Sequence, residues 1–166
     1  MIAHAFVQAV KQRPELRLVM LGDGSQSDIL HMIFTDGGVL DRVDLPGQVN
    51  QAELPGYYQS ANLYIAASHS DGTSISLLEA MACGCPALVS DIPGNREWIT
   101  PGVQGWLFKD GDVNALTRAI LRAYDDHSLL PEMGRSSRSL VEYRADWRKN
   151  FPKLLEAYQL ALQFVD

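Results

Sequence analysis

Residues 63–86 read Leu-Tyr-Ile-Ala-Ala-Ser-His-Ser-Asp-Gly-Thr-Ser-Ile-Ser-Leu-Leu-Glu-Ala-Met-Ala-Cys-Gly-Cys-Pro, and three local signals follow one another within them. Residues 63–66 form a short apolar, β-prone run, the pattern of a buried strand. Residues 68–73 are a polar loop. From 75 to 83, Leu77, Leu78, Met81 and Ala82 recur at helical spacing, and Thr73 or Ser74 can cap the first N–H groups. The expected unit is strand, loop, helix. In open α/β sheets, ligands sit outside the carboxyl ends of such strands. A helix start placed there presents unpaired N–H groups and the positive end of its dipole, so an anion, most simply a phosphate, is expected.

Asp71 lies before the first turn of this helix and Glu79 more than a turn inside it. The two carboxylates would flank an anion without sharing its place, and carboxylates accept hydrogen bonds from paired hydroxyls such as those of a sugar. Taken alone, each acid also has an ordinary reading: Asp71 as a cap or dipole partner, Glu79 as a solvated helix acid. The surrounding pattern weighs against stopping there.

Outward from this segment, apolar runs and helical periodicities alternate. Strands are expected at 17–21, 42–45, 63–66, 87–90 and 105–108, helices at 27–34, 53–60 and 75–83, and three helical segments at the C-terminal end, the first over 113–124. Ala3, Phe6, Val7 and Val10 have helical spacing from the first residues onward, so the chain opens in a helix without a preceding cap. Alternation of this kind predicts an α/β fold: a Rossmann-like, mostly parallel sheet in three layers, with helices on both faces. The last helix, carrying Phe151, Leu154, Leu155, Tyr158 and Leu162, is expected to pack back on the body.

The residues now in view carry a family resemblance. The segment resembles the retaining glycosyltransferases of the GT-B fold, in particular the large GT4 family, whose second domain has an acid, a small-residue loop and a second acid with seven residues between. Here those acids are Asp71 and Glu79, separated by residues 72–78, and Ala80-Met81-Ala82-Cys83-Gly84-Cys85-Pro86 is similar to the family's E-A-M-A-C-G-x-P continuation. Upstream, Leu18-Val19-Met20-Leu21-Gly22-Asp23-Gly24 resembles its strand ending in G-x-G, and Val43-Asp44-Leu45-Pro46-Gly47 its next strand and glycine. Downstream, residues 90–97 and Gly105-Trp106-Leu107-Phe108 resemble the stretches that follow. The first acid is usually Glu in the family and is Asp71 here. The family's domain normally opens with a further strand, a G-R loop and a lysine facing the donor diphosphate, and this chain begins after them. The resemblance therefore implies one nucleotide-sugar-binding domain over residues 1–166, without its first strand and without the N-terminal domain that holds the acceptor.

What the resemblance implies about chemistry is specific. A nucleotide-diphosphate sugar would place its ribose hydroxyls on Glu79, its diphosphate near the backbone N–H groups of Thr73, Ser74, Ile75 and Ser76, and its sugar hydroxyls on Asp71. Gly22, Gly24, Gly47, His69 and Gly72 would border the same donor. Charge builds on the departing phosphate during transfer, and fixed N–H donors stabilise it there; removing one such donor typically costs about 3 kcal/mol. Retention at the anomeric carbon is implied, and the isolated chain is expected to be incomplete for catalysis. Two other readings share the architecture: a noncatalytic nucleotide-sugar-binding module, and a sugar-nucleotide epimerase or phosphorylase, for which a catalytic base or lysine-held cofactor should be visible.

Composition bounds the rest. A chain of 166 residues, 46% hydrophobic, can bury a core as one domain. Its net charge of -6 argues against nonspecific nucleic-acid binding. Arg135, Arg138, Arg144, Arg148 and Lys149 read as a solvated helix face rather than a phosphate track. No signal peptide and no run of membrane-spanning length is seen, so the chain reads as soluble and cytoplasmic, with membrane contact only through parts it lacks. Cys83 and Cys85 are too close for an ordinary disulfide and read as free thiols in a reducing compartment. Asp110-Gly111-Asp112 has the D-x-D form that some glycosyltransferases use for a metal, yet it abuts a helical pattern from Val113, so Asp112 is read as an N-cap and no metal or cofactor is expected. His69 can contact the donor sugar or support the loop. Gly22 and Gly24 lack the third glycine of a dinucleotide fingerprint, as position 27 is serine.

Overall fold

The computed structural model describes residues 1–163 and alternates helices with parallel strands. In chain order these are α1 (Ile2–Val10), β1 (Leu18–Leu21), α2 (Ser27–Asp36), β2 (Val43–Gly47), α3 (Leu54–Ser60), β3 (Tyr64–Ala66), α4 (Ile75–Ala82), β4 (Ala87–Ser90), α5 (Pro93–Arg96), β5 (Gly105–Phe108), α6 (Val113–Asp125), α7 (Leu130–Arg144) and α8 (Trp147–Leu162). Each expected strand and helix is present with its ends within two residues. The one-turn helix α5 and the short 3-10 turns at Leu40–Arg42 and His127–Leu129 were not legible in the periodicity.

β4 lies between β3 and β5, all three parallel, and its four residues are buried. Side chains leave a strand alternately to its two faces, and here both faces are covered. Leu88, Ile65, Trp106 and Phe108 point to the side where Ala5 and Ala9 of α1 and Leu116 and Ile120 of α6 complete a core. Ala87, Val89, Tyr64, Ala66 and Leu107 point to the other, against Leu77 and Met81 of α4 and Val141 of α7. Burying one such Leu or Val side chain stabilises by roughly 1.5–3 kcal/mol. This is the expected three-layer α/β arrangement.

β1 and β2 pair in parallel as a separate two-stranded sheet. Ala3, Phe6 and Val10 of α1 pack with Phe34 of α2 and with Leu18, Val43 and Leu45 of these strands. One helix thus touches both sheets: the Ala5–Ala9 side of α1 joins the larger core, and the Ala3–Phe6–Val10 side joins the smaller.

The turn after α4 shows why Cys-Gly-Cys-Pro stands there. Gly84 adopts φ +77°, its N–H donates to the Met81 carbonyl at 2.9 Å, and the Cys85 N–H donates to the Ala80 carbonyl at 2.9 Å. That pair of bonds is a Schellman end, which needs a residue tolerant of the left-handed region, and Pro86 cannot continue a helix. The chain is sent directly into β4.

The expectation for the last helix is overturned. α8 has no buried residue, and Phe151, Leu154, Leu155, Tyr158 and Leu162 are all exposed. Its apolar side chains have helical spacing, but periodicity only says that a face is apolar, not that the same chain supplies the cover. Three of the basic residues near it lie on the solvated face as read, and a fourth, Arg144, docks on the body. Arg135 pairs with Glu132, Arg138 with Glu142 and Lys149 with Asp146, all on the surface, while Arg144 lies 4.6 Å over the Trp98 ring.

Candidate functional site

α4 begins at the carboxyl end of β3, and the loop between them carries the residues singled out by sequence. Ser74 is the N-cap: its backbone is extended at φ -71°, ψ 117°, and its Oγ accepts the Leu77 N–H at 3.4 Å. The cap is therefore Ser74, not Thr73. Among the described residues the N–H groups of Thr73, Ser74, Ile75 and Ser76 have no hydrogen-bond acceptor. Gly72, Thr73 and Ile75 are exposed. A helix start with free donors on an open face is an anion-binding arrangement.

Asp71 and Glu79 are both half-buried and both act on one group, the phenol of Tyr64 at the start of β3. Burial pushes the Tyr64 hydroxyl above its ordinary range; hydrogen bonds to Ser76 and Ser74 oppose this, and the charges of Asp71 and Glu79 add to it. The Tyr64 and Ser76 hydroxyls lie 2.8 Å apart, and those of Ser76 and Ser74 3.0 Å apart. Glu79 also accepts a bond of 3.4 Å from the Tyr58 hydroxyl of α3. Burial and the nearby Glu79 charge raise the Tyr58 pKa to about 12, so this hydroxyl keeps its proton throughout the neutral range. Tyr58 and Tyr64 went unnoticed in the sequence because each read only as an aromatic within a helix or strand. Their signal was the hydroxyl, which needs a partner when its ring is buried.

The loop is held from behind. Ser90, at the end of β4, donates from Oγ to the Ser68 carbonyl at 2.5 Å, and Asn95 Nδ2 donates to the Ser90 carbonyl at 2.8 Å. Gly94 of α5 presses on the loop backbone: a Cβ there would lie 2.3 Å from the Asp71 carbonyl oxygen and 2.4 Å from that of Gly72. Gly94→Ala is accordingly expected to displace the loop and cost about 1–3 kcal/mol, the usual range for overpacking. Urea denaturation measures the loss; an unchanged midpoint would show that the loop yields freely.

His69 meets Asp110 rather than open space, with its Nδ1 2.8 Å from Asp110 Oδ1 and its side chain largely exposed. The bond joins the loop after β3 to the loop after β5. Asp112 turns the other way and caps α6, accepting the Ala115 N–H at 2.8 Å. The two acids of the Asp-Gly-Asp sequence thus serve different partners.

Gly22 and Gly47 close the carboxyl ends of β1 and β2. Both have positive φ, +107° and +74°, and the Gly22 N–H donates to the Gly47 carbonyl at 2.8 Å. The Gly24 N–H donates to Asp23 Oδ1 at 2.7 Å. These amides are already paired, so what the glycines offer a ligand is close approach: nothing lies within 4 Å of where a Cβ would stand at Gly22, Gly24 or Gly47. Surface depressions of about 270 Å³, beside Lys109, Arg118 and Arg122, and about 250 Å³, beside Glu53 and Tyr57, are lined by none of residues 68–76. The motif face is open, with Gly72, Thr73 and Ile75 exposed.

Comparison with known proteins shows the family and the fold. The sequence profile described as "Glycosyl transferases group 1" matches residues 2–150. The D-inositol 3-phosphate glycosyltransferase of Arthrobacter sp. (strain FB24) is 30% identical over 168 aligned positions, covering 99% of this chain and 39% of that protein. Among solved structures, sucrose-phosphate synthase from Thermosynechococcus elongatus superposes with a TM-score of 0.87 at 26% identity, over 97% of this chain and 42% of that one. The pneumococcal O-GlcNAc transferase GtfA, solved with UDP and GlcNAc, gives a TM-score of 0.80 at 26% identity, over 93% and 32% respectively. The chain spans about two fifths of the length of the first of these relatives.

Proposed function

The chain belongs to the group 1 glycosyl transferases, and from that premise we propose that it is the donor-binding half of a retaining, GT4-type glycosyltransferase that moves a sugar from a nucleotide-diphosphate sugar to an acceptor. One observation carries the reading: four unpaired N–H groups at the start of α4 stand between two carboxylates, Asp71 and Glu79, on an open face at the carboxyl end of β3. The diphosphate takes the N–H groups, the ribose hydroxyls take Glu79 and the transferred sugar's hydroxyls take Asp71, with His69, Gly72, Gly22, Gly24 and Gly47 bordering the donor. A solved neighbour that holds UDP and GlcNAc supports a uridine nucleotide as the first donor to try.

In this assignment the chemistry is positional and electrostatic. As the glycosidic bond to phosphate lengthens, negative charge gathers on the departing diphosphate. The free N–H groups and the dipole of α4 stabilise that charge without reorganising. The acceptor hydroxyl and the groups that receive its proton belong to a second domain facing this wall. The free edges of β1 and β3, with α1 packed against both sheets, support one further parallel strand between them. A nucleotide-sugar donor and two free thiols, with burial holding that of Cys85 near pKa 12, suit a cytoplasmic setting.

Calorimetric titration of the intact enzyme with UDP, GDP and ADP tests the donor site. Binding of one nucleotide supports the proposal, and proton NMR of the first-formed product anomer checks retention. Failure of a folded protein to bind any of the three overturns it.

A further inference from the structure

Glu79 is held by a hydroxyl from outside the motif segment. Its Oε2 accepts the Tyr58 hydroxyl at 3.4 Å, from the neighbouring helix α3. Tyr58 is in turn fixed edge-on against Tyr64, with ring centroids 6.1 Å apart and planes at 68°. The Tyr64 hydroxyl is 2.8 Å from Ser76 Oγ, which is 3.0 Å from the N-cap Ser74 Oγ. One connected set of side chains therefore runs from the start of α4, through the floor made by β3, to the carboxylate more than a turn further along the same helix.

A carboxylate on a helix surface ordinarily samples several rotamers, and fixing it costs entropy when a ligand arrives. With Oε2 engaged by Tyr58, Glu79 keeps Oε1 and one lone pair of Oε2 for incoming donors. Tyr58 keeps its own proton at neutral pH, because burial and the Glu79 charge raise its pKa to about 12. It acts only as a donor to Glu79.

We infer that Tyr58 is a positioning residue that orients the Glu79 carboxylate for the two ribose hydroxyls of the donor nucleotide. The inference rests on the donor-site reading above and deepens it. Tyr58 touches no substrate itself, so its effect must vanish wherever the Glu79–ribose contact is missing.

The test is a double-mutant cycle read with two ligands. The intact enzyme, its Tyr58→Phe and Glu79→Ala variants and the double variant are titrated with the nucleoside diphosphate that the wild type binds among UDP, GDP and ADP, and with its 2′,3′-dideoxy analogue. Phenylalanine keeps the ring packing on Tyr64 and removes only the donor. The expected result is that Tyr58→Phe weakens the ribonucleotide by about three- to tenfold, the scale of one hydrogen bond, leaves the dideoxy analogue unchanged, and adds nothing on top of Glu79→Ala. Equal weakening of both nucleotides would assign Tyr58 to packing alone, and no change with either would remove it from the site; each overturns the inference while leaving the donor reading intact. A wild type that binds ribo- and dideoxynucleotide alike, or no nucleotide, overturns the Glu79–ribose assignment itself and the inference with it.

Discussion

Glu79→Ala is expected to weaken nucleotide-diphosphate binding by the intact enzyme at least tenfold while leaving the protein folded. The side chain is half-buried at the surface of α4 and, among the described residues, its one hydrogen bond is the 3.4 Å contact from Tyr58, so the core formed by Leu77, Ala80 and Met81 on the opposite side of the helix is untouched. The ligand loses more than the fold. Two ribose hydroxyls give up a charged acceptor, and hydrogen bonds to charged groups contribute roughly 1.5–3 kcal/mol, or at least tenfold in dissociation constant. Calorimetry reads this directly, and an unchanged dissociation constant in a folded variant would refute the role. Asp71→Asn gives the contrasting result: nucleotide alone binds nearly as before, while turnover of the nucleotide-sugar falls, because the sugar rather than the nucleotide loses its acceptor. Equal turnover would return Asp71 to a structural part of the loop.

Gly105→Ala is expected to damage the fold more than any comparable change in the sheet. Gly105 opens β5 opposite Ala87 with φ +152°, and an added Cβ would stand 1.8 Å from the Ala87 carbonyl oxygen, 2.7 Å from its carbon and 2.8 Å from its nitrogen. All three atoms are backbone of β4, the fully buried middle strand, so relief requires the ladder to separate. A loss above about 3 kcal/mol places the substitution among severe overpacking defects. For a domain of this size the melting temperature should fall by roughly 2–4 °C per kcal/mol. Gly111→Ala is the control: φ is +73°, yet nothing lies within 4 Å of the added carbon, so only the left-handed backbone cost of about 1–2 kcal/mol applies. If the two variants lose the same stability, close strand approach is not what requires glycine at 105.

The elements that carry the candidate site were legible in the sequence. The strand, loop and helix of residues 63–86 could be read because each rests on local physics: apolar β-prone residues, small polar residues with a capping serine, then a 3.6-residue period ended by Gly84 and Pro86. The Asp112 cap followed from the same local reasoning and is present. Less was legible where a residue's partner is far along the chain. Tyr58 reaches Glu79 across 21 positions, His69 reaches Asp110 across 41, and Ser90 reaches Ser68 across 22. Gly94, within the stretch 90–97, carries no local sign that the carbonyls of Asp71 and Gly72 lie against it.

The last helix marks the boundary between the two kinds of information. Its sequence determined that Trp147–Leu162 is helical and that Phe151, Leu155, Tyr158 and Leu162 carry apolar side chains, since period and propensity are properties of neighbours in the chain. Whether that face meets the body was a matter of where the ends of α7 and α8 are directed, and the answer is that it does not. By itself the sequence determined the α/β class, the order of elements, the anion-ready start of α4 and the two acids beside it. Only the tertiary structure decided that Asp71 and Glu79 act on one tyrosine, that one carboxylate oxygen of Glu79 is already engaged, that β1–β2 and β3–β5 form separate sheets bridged by α1, and that glycine is needed at 94 and 105. The reason is physical: helix period, caps and turns are set over about four residues, whereas hydrogen bonds, close backbone approaches and sheet order depend on segments that meet only when the chain has folded.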